Sequence, residues 1–97
     1  MKLTIIYRDN SDHARAVYEF VEMLRRKYPG KTARLLDIDT REGAAEASLR
    51  GVMQYPALVL TTYEGRVDEM WQGLPMPTID TVGSRIKEEQ AEHSAAN

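Results

Sequence analysis

Apolar runs separated by polar turns divide the chain into alternating strands and helices. Four compact runs predict β-strands, at Leu3–Tyr7, Thr32–Ile38, Ala57–Leu60 and Val67–Trp71. Elsewhere apolar residues recur at spacings of three and four, which is the period of an amphipathic helix. This period predicts three helices with apolar faces at Ala14, Val17, Tyr18, Val21, Leu24 and Tyr28, then at Ala44, Ala45, Ala47, Leu49 and Val52, and finally at Ile79, Val82 and Ile86. The element order is β-α-β-α-β-β-α.

Short polar residues mark the starts of the three helices. Ser11 or Asp12 precedes the first helix, Asp39 or Thr40 the second and Thr78 the last. Such side chains accept hydrogen bonds from the unpaired amides of the first helical turn. We therefore expect one residue of each group to be the N-cap.

Glycine and proline mark the other boundaries. Gly51 is predicted to end the second helix, and Glu64-Gly65 to form the turn of a hairpin. Pro56 cannot donate to a sheet ladder, so it should lie at or just before the start of its strand. Gly83, inside the last helix, should weaken that helix by about 1 kcal/mol relative to alanine.

The composition is that of one small globular domain, and the element order makes its fold class α/β. The chain has 97 residues, of which 42% are hydrophobic and 29% are charged. We expect residues 1–87 to form the domain and the polar residues 88–97 to be a disordered tail. A formal net charge of −2 does not favour nucleic acid as a partner. No apolar run reaches the roughly 18 residues needed to span a membrane, and a cytoplasmic location is the expectation.

The element order and five short motifs resemble the thioredoxin fold over residues 2–87. The motifs are Asp37-Ile38-Asp39, Gly51-Val52, Tyr55-Pro56-Ala57, Glu64-Gly65-Arg66 and Gln72-Gly73. The resemblance implies a central four-stranded mixed sheet flanked by helices. It also implies a cis proline at Pro56, which would face the start of the first helix.

The chain departs from this family at the redox site. Thioredoxins and glutaredoxins carry Cys-x-x-Cys where this chain has Ser11-Asp12-His13-Ala14, and the whole chain has no cysteine. Thiol–disulfide exchange requires a thiolate nucleophile, which a serine hydroxyl cannot replace. The family's oxidoreductase activity is therefore not expected here.

The binding surface of the family could survive without the thiols. The resemblance places three segments around a shallow groove, here named the Tyr55 groove and made of Ser11, Asp12, His13, Tyr55, Pro56, Gly73 and Leu74. We predict a redox-inactive binding module that docks a protein segment or another copy of itself there. Pairing would use the backbone of the residue before the proline, as in strand addition. No catalytic residue, cofactor, metal, nucleic acid or membrane is expected.

Two alternatives remain open. A glutathione-binding or glutathione-transferase-like enzyme could use the hydroxyl of Tyr7 or Ser11, although glutathione is not the expected ligand and Ser11 suits a helix cap. Ser11 and His13 are two residues apart, a spacing at which helical side chains do not face each other. The second alternative is a regulatory protein similar to KaiB, whose thioredoxin-like state also lacks the cysteine pair.

Five large apolar residues flank the predicted groove. They are Met53, Tyr55, Trp71, Leu74 and Met76. Met and aromatic residues are enriched at adaptable interfaces, but a small domain must also bury most of its large side chains. The sequence leaves open whether these five form an exposed patch or part of the core.

Overall fold

The central strand of the sheet is β1, Lys2–Tyr7, in which five of six residues are buried. The structure is a computed structural model, and it describes residues 1–86. The other elements are α1, Ala14–Lys27; β2, Ala33–Asp37; α2, Arg41–Arg50; β3, Ala57–Thr61; β4, Val67–Gln72; and α3, residues 79–86. The predicted element order is confirmed, and each strand end lies within one residue of its predicted position.

The four strands form one mixed sheet in the order β2-β1-β3-β4. β1 pairs with β2 in parallel and with β3 in antiparallel orientation, and β3 pairs with β4 in antiparallel orientation. The parallel pair is joined through α1, as expected for a βαβ unit. β4 is an edge strand, as its mixed pattern of charged and apolar residues predicted.

The two faces of the sheet pack against different helices. Leu3, Ile5 and Tyr7 point to the face covered by α1 and α3, where they join the larger apolar core. Ile6 points to the face covered by α2, where it packs with a smaller cluster that includes Ala47. Successive side chains of a strand alternate between faces, so one strand serves both cores.

Two predicted helix faces are partly wrong. In α1, Phe20 is buried beside Val17 and Leu24, whereas Tyr18 is 46% exposed. Phe20 lies three residues after Val17 and four before Leu24, which places it on the stripe that faces the sheet. In α2, the buried residues are Gly43 and Ala47, and Leu49 is 71% exposed. The predicted face residues Ala44 and Ala45 are exposed as well.

The N-cap prediction is correct for α2 and α3 but wrong for α1. Thr40 caps α2 by accepting from the amide of Gly43 at 3.0 Å, and Thr78 accepts from the amide of Thr81 at 3.2 Å. The N-cap of α1 is His13, and no side chain caps this helix. Ser11 does not cap it because its hydroxyl donates to the carbonyl of Arg8 instead.

Glycine lets two helices pack closely against their neighbours. A Cβ on Gly43 would overlap the carbonyl oxygen at the end of β2, and a Cβ on Gly83 would overlap the ring of Tyr28. Close packing against Tyr28 therefore favours glycine at position 83, although glycine has a low helix propensity. The predicted tail, residues 88–97, lies outside the described residues. Within the described part of the chain, no helix is long and apolar enough to cross a membrane.

Candidate functional site

The sheet topology gathers the segments of the Tyr55 groove at one end of the sheet. Ile6 pairs with Ala57, and Ala57 pairs with Gln72, so β1 ends where β3 begins and β4 ends. Ser11 and His13 follow β1, Pro56 precedes β3, and Gly73 follows β4. The order and direction of the strands therefore account for this grouping without any special contact.

A direct hydrogen bond joins the proline loop to the loop after β4. The amide of Gly73 donates to the carbonyl of Pro56 at 2.9 Å. Pro56 is fully buried, immediately before β3 as predicted, and the Tyr55–Pro56 peptide bond is cis. Gly73 has a φ of +78°, and a side chain there would meet the amide oxygen of Gln54. Both constraints favour glycine at this position.

Gln72 holds the proline loop in place from the end of β4. Its side-chain oxygen accepts hydrogen bonds from the amides of Met53 at 2.6 Å and Gln54 at 3.2 Å. The sequence did not predict this role. A glutamine at a strand end that binds a neighbouring loop has the same local sequence pattern as one that is exposed to solvent. The residues before Tyr55 are thus fixed by a side chain 18 residues away in sequence.

The backbone of Tyr55 has neither its donor nor its acceptor paired within residues 1–86. The side chain of Tyr55 is half-buried against the smaller apolar cluster on the α2 face, so the residue itself is anchored. An anchored residue with a free donor and acceptor can pair with an extended chain.

An apolar groove continues from Leu74 across α1. Ala16, Phe20 and Met23 of α1 face the loop 74–77 across a groove of about 370 Å³, which we name the α1 shelf. Leu74 is 62% exposed, and Met23 is exposed as well. Glu19 lies at this shelf and forms an exposed ion pair with Arg15.

The start of α1 is bonded to the end of β1 rather than to the proline loop. The amide of Arg8 donates to Nε2 of His13 at 3.0 Å, and Ser11 donates to the carbonyl of Arg8. Asp12 is exposed. Within the described residues, none of these three side chains hydrogen-bonds to Tyr55 or Pro56. The structure thus ties Pro56 and Gly73 together, and the topology brings Ser11, Asp12 and His13 to the same end of the sheet.

The five large apolar residues near the groove do not form one exposed patch. Met53 and Leu74 are exposed, but Trp71 and Met76 are half-buried against the core under α1. Tyr55 packs on the opposite face of the sheet. Alternation along β4 sends Trp71 and Met70 to opposite faces, which explains why residues close in sequence are separated here.

The two candidate catalytic hydroxyls, those of Tyr7 and Ser11, already have partners. The hydroxyl of Tyr7 lies 3.1 Å from that of Tyr18, and the two rings meet edge to face. Tyr18 also donates to the carboxylate of Asp9. This hydrogen bond, followed by the one with Tyr7, raises the pKa of Tyr18 above its ordinary range. A raised pKa makes Tyr18, the hydrogen-bond partner of Tyr7, less able to form the phenolate that thiol activation would require.

No metal site accompanies these groups in the part of the chain that the structure describes. Among residues 1–86, no three His, Asp or Glu side chains cluster closely enough to hold a metal ion. The arrangement instead offers a fixed backbone, an apolar shelf and hydrogen-bonding polar side chains, which are features of a recognition surface.

Solved structures of thioredoxins are similar to this chain in fold. Thioredoxin 1 from Thermosipho africanus is 13% identical with a TM-score of 0.69, and the match covers 97% of this chain and 99% of that one. Oxidized thioredoxin O2 from Arabidopsis thaliana is 17% identical with a TM-score of 0.67, covering 90% and 72%. Oxidized mitochondrial thioredoxin 3 from Saccharomyces cerevisiae is 19% identical with a TM-score of 0.66, covering 89% and 76%.

These similarities establish the fold. The chain has the thioredoxin-like fold, and it has no cysteine. No protein-family model matches the chain, and no curated protein is similar enough in sequence to match it. At such low identity, the function has to be argued from the chain's own residues.

Proposed function

We propose that this protein is a redox-inactive, cytoplasmic binding module that docks an extended protein segment, or a segment of another copy of itself, in the Tyr55 groove. The observation that carries the proposal is the unpaired backbone of Tyr55, held between Gln72 and the buried Pro56. A docked segment would place its own amide and carbonyl opposite those of Tyr55, in the manner of strand addition.

The α1 shelf supplies the side-chain part of this recognition. Leu74 and Met23 are exposed apolar residues on its two sides, and Phe20 lies at its base. An apolar side chain of the docked segment would cover them, because burying apolar surface stabilises a complex by about 25 cal/mol per Å². Methionine adapts its shape to different partners, so the shelf suits more than one apolar side chain.

A peptide display selection on the immobilised protein tests this proposal. Sequences selected on the wild type should bind Leu74→Glu at least about tenfold more weakly, because the charge would be buried against an apolar side chain. Leu49→Glu is the matched control, since Leu49 is similarly exposed but lies on α2. It should bind the same peptides as the wild type does.

The amide NMR spectrum then locates the bound peptide. Shifts should concentrate at Tyr55, Ala57, Gly73 and Leu74. Peptides that bind Leu74→Glu as tightly as wild type, or that shift only other amides, would exclude the Tyr55 groove as the docking site. Sedimentation of wild type and Leu74→Glu over a range of concentrations tests docking between copies, which should be lost in the variant.

The glutathione alternative has weaker support, because the hydroxyls of Tyr7 and Ser11 are engaged with Tyr18 and the Arg8 carbonyl. Titration with millimolar reduced glutathione should leave the amide signals of Ser11 and Tyr55 unmoved. The KaiB-like alternative predicts two slowly exchanging sets of amide signals, whereas one stable fold predicts a single set. Both experiments use the same labelled protein.

A further inference from the structure

A second concave site lies at the opposite end of the sheet from the Tyr55 groove. It is a cavity of about 470 Å³ between the sheet and the last turns of α2, and we name it the α2 cavity. Thr4, Val59 and Thr61 form its floor, and Arg34 and Arg50 stand at its sides. Ligand pockets in proteins commonly enclose about 300–1,000 Å³, so this volume suits a small molecule.

The floor of the cavity contains a buried hydroxyl without a partner. Thr4 is only 6% exposed, and within residues 1–86 its hydroxyl forms no hydrogen bond. Its neighbour Thr61 is equally buried, but its hydroxyl donates to the carbonyl of Lys2 at 3.3 Å. An unsatisfied buried hydroxyl is uncommon and destabilising. A ligand oxygen that accepts a hydrogen bond from Thr4 would therefore remove the desolvation penalty of this hydroxyl.

The sides of the cavity are basic although the whole chain is acidic. Nε of Arg50 pairs with Glu46 at 3.2 Å and its Nη1 donates to the carbonyl of Gly65 at 3.4 Å. Its Nη2 has no partner within the described residues. Arg34 forms an ion pair with Glu42 on the outer side of α2.

The charges that line the cavity do not cancel. The lining side chains Lys2, Arg34 and Arg50 carry three positive charges and Glu46 carries one negative charge. Glu42 pairs with Arg34, so the local excess is one positive charge. The full chain has a formal net charge of −2. A basic cleft on an acidic protein has a locally positive electrostatic potential, which favours the binding of an anionic ligand.

We propose that the α2 cavity binds a small organic phosphate. A phosphomonoester carries about −1.5 to −2 charges near neutral pH and has three acceptor oxygens, so the local positive excess would attract it. Its oxygens would accept from Nη2 of Arg50, from the guanidinium of Arg34 and from the hydroxyl of Thr4. Donors that converge from three elements suit a tetrahedral phosphate better than a planar carboxylate, and arginine is the usual choice for such recognition.

The organic part of the ligand has a place as well. The ring of Tyr63, which is 70% exposed, lies at the rim. This ring would contact a compact organic group, so phenyl phosphate should bind more tightly than inorganic phosphate.

Amide NMR titrations at constant ionic strength with phenyl phosphate, inorganic phosphate and benzoate test this proposal. Phenyl phosphate should shift the amides of Thr4, Thr61 and Gly65 saturably. Arg50→Gln should weaken binding at least about tenfold, because a charge-assisted contact is lost. Thr4→Val should weaken it about fivefold, because one hydrogen bond is lost at nearly constant shape.

Arg26→Gln is the matched control, since it removes the same charge from an exposed position on α1. It should change the affinity by less than about twofold, because salt screens distant surface charges. Equal weakening by Arg26→Gln and Thr4→Val would show nonspecific ion pairing and overturn the proposal. Benzoate that binds as tightly as phenyl phosphate would overturn the phosphate assignment. Shifts confined to Tyr55 and Gly73 would overturn the location. Thr4→Val changes the shape of the side chain little, so we expect it to keep the fold.

Discussion

The two faces of the sheet share the same strands but are covered very differently. β1 sends Leu3, Ile5 and Tyr7 to the face under α1 and α3, where every position is apolar. On the other face it sends Ile6 beneath α2, while Thr4 lies beside the cavity. The first face is a continuous core, and the second is apolar over only part of its length.

The difference follows from the helices. α1 has 14 residues and α3 adds further apolar side chains, whereas α2 has 10 residues and buries only Gly43 and Ala47 within its length. A short helix with a face of small residues packs closely but cannot cover a whole sheet. The uncovered end must then carry polar floor residues, and a cavity remains there. The length and side-chain size of one helix thus determine where the fold keeps a pocket.

The largest expected difference between the faces is at the adjacent residues Ile5 and Ile6. Both are fully buried, but Ile5 belongs to the larger core and Ile6 to the smaller one. Truncation of a buried isoleucine to alanine costs about 2–5 kcal/mol, depending on how well the site collapses. Ile5→Ala should lie near the top of this range and Ile6→Ala near the bottom, as measured by urea unfolding. Equal costs would contradict the contrast between the faces.

The next difference concerns the two glycines at the helix contacts. Gly43→Ala should destabilise the fold by about 3 kcal/mol or more, because the new methyl group meets the backbone carbonyl of Asp37. Gly83→Ala should cost only about 1 kcal/mol, because the ring of Tyr28 can move and alanine favours the helix. Urea unfolding of both variants compares the two losses in the free energy of unfolding. A larger loss for Gly83→Ala would show that the ring of Tyr28 cannot move away from the new methyl group.

A smaller effect of opposite sign is expected on the cavity floor. Thr4→Val should raise the free energy of unfolding by about 1 kcal/mol, because it removes an unpaired buried hydroxyl. Thr61→Val should give no such gain, because its hydroxyl already bonds to the carbonyl of Lys2. Thermal unfolding in phosphate-free buffer compares the two. A destabilised Thr4→Val would indicate that the hydroxyl has a partner in solution.

The sequence predicts the fold well because its signals are local and periodic. Each strand is a compact apolar run, and Gly51 ends α2 in the left-handed conformation as its position suggested. The failures also have physical causes. Tyr18 and Leu49 have the right spacing to be buried, but they face outward, because a helix face is fixed by its partner and not by period alone.

The Tyr55 groove is only partly visible in the sequence. The family motif locates Tyr55 and Pro56, but the clamp by Gln72 is a contact between residues 18 or 19 positions apart that no local pattern encodes. The sequence also did not predict the α2 cavity. Thr4 is one polar residue inside an apolar run, and its meaning depends on Arg34 and Arg50, which the fold brings in from other elements.

The smallest expected effect is a pH dependence of the free energy of unfolding. It arises from an exposed contact between α3 and the end of α1, on the face that these two helices cover. The carboxylate of Asp80 accepts from Lys27 at 2.7 Å and from the hydroxyl of Tyr28 at 2.9 Å. The hydrogen bond from Lys27, then that from Tyr28, lowers the pKa of Asp80, and the same contact raises the pKa of Lys27.

A carboxylate with a lowered pKa stabilises the fold above its ordinary pKa of 3.8, and this contribution is lost as the pH falls through the lowered value. A lysine with a raised pKa contributes fully below its ordinary pKa of 10.5 and loses the contribution as the pH rises through the raised value. The contact should thus act at full strength between these limits. Asp80→Asn should reduce stability at pH 6 and flatten its fall below pH 4, measured by urea midpoints, whereas Asp12→Asn at the start of α1 should follow the wild type. An unchanged acid limb in Asp80→Asn would show that α3 is held by its apolar face alone, through Val82 and Ile86.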